Sequence, residues 1–183
     1  MPILTTRTSR RPWILPPHGA ATMKLGSRVG QGAFAGLSGG IGVALFFLVG
    51  DLIQLTPLST PMALGTTFLG PGGTSIDFPV VAQALTLASA GVRLVAVTAA
   101  HLAAFAALGI VAVLLFDAFG WSLGVGGGAL FGLIVCSIVF YAGLAFAGSG
   151  VVSALPGVWA VLAGNVVAGG LIGGQVKLLR GSR

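Results

Sequence analysis

A chain of 183 residues that is 56% hydrophobic and only 7% charged cannot be an ordinary soluble domain, in which about 25% of side chains are charged. Nine Lys/Arg against three Asp/Glu would suit a nucleic-acid binder, but the basic residues gather at the two chain ends, the pattern of a membrane protein with its positive loops inside. One cysteine, Cys136, excludes an intramolecular disulfide and a Cys-based metal site.

Residues 1–28 form a basic, proline-containing arm with Arg7, Arg10, Arg11, Lys24 and Arg28. Arg10-Arg11 resembles a twin-arginine export signal, but Pro16-Pro17-His18-Gly19 stands where its apolar core should begin. The arm reads as a cytoplasmic segment on anionic lipid headgroups, each arginine contributing about 1 kcal/mol. Met23 is a second candidate start.

The first predicted span covers 29–55. Its Gly32, Gly36 and Gly40 recur every four residues and make a smooth stripe for close helix approach. Asp51 is expected at the outer interface, capped or hydrated, with a buried proton-carrying role as the alternative. Residues 56–90 make the only sizeable loop between spans. Within it Thr60-Pro61 has the form of a helix start, predicting a short helix over 61–68. Gly70-Pro71-Gly72-Gly73 then turns the chain, and Asp77 opens either a separate interfacial helix over 78–90 or one long rod continuing into the next span.

The second span, 91–116, contains His101, the one histidine within any apolar run. Asp117-Ala118-Phe119-Gly120 predicts a tight turn into the third span, 121–147, with a small-residue ladder of Gly120, Gly124, Gly128 and Gly132. The fourth span, 153–179, carries Asn165 near its middle beside Gly164 and closes on Lys177, Arg180 and Arg183. The expectation is an all-α polytopic membrane protein: four transmembrane helices with Gly/Ala-rich packing faces, both termini cytoplasmic, in a bacterial inner membrane.

Depth along these helices, at about 1.5 Å per residue, would let Thr98, His101, Ser137, Tyr141 and Asn165 meet in one polar cluster. Two roles are open to it: interhelical hydrogen-bond glue, with Asn165 or Ser137 as the partner of His101, or a small pocket or proton path centred on His101. His101 is also a candidate axial ligand for a haem or chlorophyll-type pigment, with flanking alanines admitting a flat macrocycle. Against catalysis, the sequence has no metal-ligating His/Glu pattern, no plausible Ser–His–Asp set, no phosphate loop and no paired acids.

Asp51-Leu52-Ile53, Thr60-Pro61-Met62-Ala63-Leu64-Gly65 and the His101/Phe105/Gly109 spacing resemble a group of uncharacterised small bacterial four-helix integral membrane proteins, over residues 33–115. The resemblance implies a shared packing motif around His101 and no assigned activity. The expected function is therefore a non-catalytic accessory or structural subunit of a larger membrane complex, of respiratory or photosynthetic type. Its expected partners are the bilayer and other membrane subunits, with no nucleic acid. The alternative is a small transporter or ligand-binding protein built on the His101 cluster.

Overall fold

The structure, a computed structural model, describes residues 25–69, 79–121, 124–147 and 157–181. The chain is all-helical, with four helices long and apolar enough to cross a membrane. In chain order the elements are α1 (Leu25–Ile53), α2 (Ser59–Leu69), α3 (Pro79–Ala118), α4 (Val125–Phe131), a π-helical turn (Gly132–Cys136), α5 (Ser137–Ala147) and α6 (Val158–Gly181). The third membrane-length helix is thus α4 and α5 joined through the π turn.

Helix α1 ends where Leu55 takes a left-handed conformation (φ 57°). The amide of Leu55 donates to the Leu52 carbonyl at 3.1 Å, and that of Thr56 donates to Asp51 at 2.9 Å. This pair of bonds is a Schellman ending, which normally uses glycine at the left-handed position. Helix α3 ends the same way with the favoured residue. Gly120 (φ 66°) donates to Asp117 at 3.2 Å, and Trp121 donates to Phe116 at 2.9 Å. Gly120 therefore makes the turn, not a helix contact: a β-carbon placed on it would touch nothing. The third span accordingly begins at Val125 rather than at residue 121.

Of the two readings for 78–90, the continuous rod is the one observed. Helix α3 runs for 40 residues, roughly 60 Å at the α-helical rise and twice the thickness of a hydrocarbon core. Its membrane-length portion is Ala88–Ala118. The short loop helix starts at Ser59 instead of residue 61. Asp77 lies outside the described residues.

Helix α1 is central, packed on α3 along one side and on α6 along another, while α4 and the π turn pack on the far side of α6. Two crossings are close enough to bring backbones together. At the α1–α3 crossing, a β-carbon on Gly32 would sit 2.6 Å from Ile110 Cα, and one on Gly36 would collide with the Phe105 carbonyl. At the α4–α6 crossing, β-carbons on Gly128 or Gly132 would collide with the carbonyls of Gly169 or Asn165. Gly164 admits Val43, whose Cγ2 would be 3.0 Å from an added β-carbon. The core between the crossings holds Ala35, Val43, Phe105, Val113, Phe131 and Ile172.

The ends of the bundle are tied by carboxylates. At one end Asp117 Oδ1 receives Arg180 Nη2 at 2.8 Å, and Arg28 Nε lies 3.6 Å from Asp117 Oδ2. This triad puts the start of α1 and the ends of α3 and α6 at the same end of the molecule. At the other end Asp51, 3% exposed, accepts Ser59 Oγ (2.9 Å), Thr60 Oγ1 (2.7 Å) and the Thr60 amide (2.9 Å).

Candidate functional site

The five polar residues predicted to cluster do not meet as one group. Thr98 donates to the Leu94 carbonyl of its own helix at 2.7 Å and is exposed. Tyr141 is half-buried, its ring edge-on to Phe140 at 5.4 Å. The remaining three form two separate arrangements that border a common cleft.

His101 belongs to the first. Its Nε2 lies 3.0 Å from the Gly40 carbonyl on α1, so the partner is a backbone group rather than Asn165 or Ser137. A carbonyl can only accept, so Nε2 carries the hydrogen and, in the neutral ring, Nδ1 keeps its lone pair. Gly40 makes the approach possible: a β-carbon there would press on Phe105 Cβ at 3.0 Å and Leu102 Cδ2 at 3.3 Å. The Phe105 ring backs the imidazole at a centroid distance of 4.8 Å.

The second is a relay from α6 to the π turn. Asn165, 5% exposed, donates from Nδ2 to Ser137 Oγ at 3.0 Å. Ser137 passes its own hydrogen to the Gly132 carbonyl at 3.5 Å. The widened turn thus coincides with the place where a buried hydroxyl caps a loosened carbonyl and an amide from the next helix joins it. Single π turns of this kind gather at functional sites.

The cleft between α3 and α5 has a volume of about 330 Å³. One wall carries the methyl groups of Ala96, Ala100 and Ala104, and the facing wall carries Val139, Phe140 and Gly143. His101 and Asn165 are its nitrogen- and oxygen-bearing side chains, Cys136 adds a buried thiol, and Thr98, Ser137 and Tyr141 do not line it. A larger, more open cavity of about 670 Å³ lies near Asp51, but both carboxylate oxygens there hold donors at the start of α2. The geometry makes Asp51 a helix cap delivered from a neighbouring helix.

A pigment ligated through His101 fits this site poorly. Nε2, the outward nitrogen of a helix-borne histidine, is engaged with Gly40, and Phe105 lies against the ring. Ligation through Nε2 would require breaking that bond. Among the described residues there is no group of three or more metal-ligating side chains.

Sequence reasoning expected Asp51 capped or hydrated but did not name its partners, and it missed the Asp117 tie. The signals were present: Ser59 and Thr60 follow Asp51 by eight and nine residues, and the charge pattern that assigned both termini to one side also placed Arg28, Asp117 and Arg180 at one level. No family model, curated protein or solved structure matches the chain.

Proposed function

We propose that this protein is a non-catalytic structural subunit of a larger assembly in a bacterial inner membrane, with both termini cytoplasmic. The observation that supports this reading is how its polar groups are used. His101 ties α3 to α1, Asn165 ties α6 to the π turn, Asp51 starts α2, and Asp117 joins three helix ends. Each contact fixes helices relative to one another, the work of a scaffold. Helix α5 supplies the surface for a neighbour. It leans only lightly on α6, and Ile138 and Phe146 are 63% and 93% exposed.

Purification from native membranes in a mild detergent tests the reading. A stoichiometric complex containing this chain is expected, with cross-links from a photoreactive residue at position 138 or 146 to a second polypeptide. A chain that elutes only as itself, with no cross-link from α5, rejects the assembly role.

A further inference from the structure

The cleft contains a chemical bias that its shape alone does not convey. Among the described residues, neither Nδ1 of His101 nor Oδ1 of Asn165 meets a donor. Neither belongs to the buried atoms that lack a partner, so both face open space, and the open space beside these two side chains is the cleft. The Gly40 carbonyl fixes the histidine tautomer, and Asn165 turns its Nδ2 to Ser137, which leaves Oδ1 on the other side of the amide. Both remaining polar atoms are therefore acceptors.

We infer that the cleft is a binding site for a small apolar molecule ending in a hydroxyl, such as a prenyl or fatty alcohol, whose O–H donates to His101 Nδ1. A volume of about 330 Å³ falls at the small end of ligand sites, which span about 300–1,000 Å³. The alanine wall on α3 and the Val139–Gly143 wall on α5 present hydrocarbon to the rest of the molecule. In an apolar setting, an acceptor left without a donor is costly. A carbonyl- or ether-ended molecule of the same shape supplies no donor, so the site selects for the alcohol. This assignment is independent of the assembly reading: a subunit and a free protein would carry the same cleft, and the two are tested by different measurements.

The test uses the full chain in lipid nanodiscs with two probes, farnesol and farnesyl methyl ether, each measured by displacement of a fluorescent fatty alcohol. The wild type is expected to bind farnesol at least tenfold more tightly, a difference of about 1.4 kcal/mol. His101→Phe should bring the two probes to within about threefold of each other. Gly143→Phe fills the cleft at a position where an added β-carbon touches nothing, so it should fold and lose affinity for both probes at least tenfold. Should His101→Phe fail to fold, Gly143→Phe still decides. Equal binding of alcohol and ether by the wild type, or undiminished binding by Gly143→Phe, overturns the inference.

Discussion

Gly36 and Gly143 are the same residue in two regions with opposite demands. At the α1–α3 crossing a β-carbon on Gly36 would enter the Phe105 carbonyl, whereas on Gly143 it would find nothing within 4 Å. The first glycine lets two backbones touch; the second leaves a wall of the cleft thin. Helix contact in lipid is governed by how closely backbones can pack, so an identical substitution separates these roles. Glycine content alone does not distinguish a joint from an opening.

The largest expected effect tests that contrast directly. Gly36→Ala should destabilise the bundle by about 3 kcal/mol or more, since backbone rather than a movable side chain must give way. Gly143→Ala should change stability by less than about 0.5 kcal/mol. Equilibrium unfolding in mixed micelles measures both, and similar losses would remove the distinction. The α4–α6 joint repeats the comparison: Gly128→Leu should disrupt packing and Gly126→Leu should not, because a β-carbon at Gly126 meets no neighbour.

Next in size is the tie at the α2 end. Asp51→Ala removes three hydrogen bonds and leaves the buried Thr60 amide without its acceptor, an expected cost of about 2 kcal/mol. Hydrogen exchange should show the loss concentrated in α2, with the α1–α3 crossing still protected. Uniform deprotection would mean that the clip holds the whole bundle.

A smaller effect is expected at the border between joint and cleft. His101→Leu should cost about 1 kcal/mol, the worth of one interhelical hydrogen bond in lipid. His101→Gln should recover most of it, since an amide N–H can donate to Gly40. If glutamine proves as damaging as leucine in the same unfolding assay, the imidazole does more than hold α1.

The smallest change should be a gain. Leu55 occupies a left-handed position that costs a residue with a β-carbon about 1 kcal/mol. Leu55→Gly should therefore stabilise the α1 ending by somewhat less than about 1 kcal/mol, because glycine also loses more chain entropy on folding. A fall in melting temperature would show that the exposed leucine side chain holds the turn in some other way.

What the sequence determined by itself is the class and the rods. Runs of apolar residues such as those around Val43 and Val113, broken at Thr56-Pro57 and at Gly120, are enough to define four membrane-length helices. Hydrocarbon solvent demands continuous backbone hydrogen bonding wherever the chain crosses it. Four-residue glycine spacing also marked Gly32, Gly36, Gly128 and Gly132, because the helical repeat places such residues on one face. It overreached at Gly120, where the same spacing continues into a turn whose backbone is left-handed.

Only the tertiary structure decided which polar groups meet. His101 found a backbone carbonyl, invisible to any pattern of side chains, and Asn165 found Ser137 through a π turn that shifts the phase of the third helix. Axial depth can be counted along a sequence, but azimuth depends on how each helix rotates to bring its glycines into contact. Those glycine contacts, chosen by close backbone packing, placed His101 and Asn165 on the two sides of one cleft and left Thr98 and Tyr141 out of it.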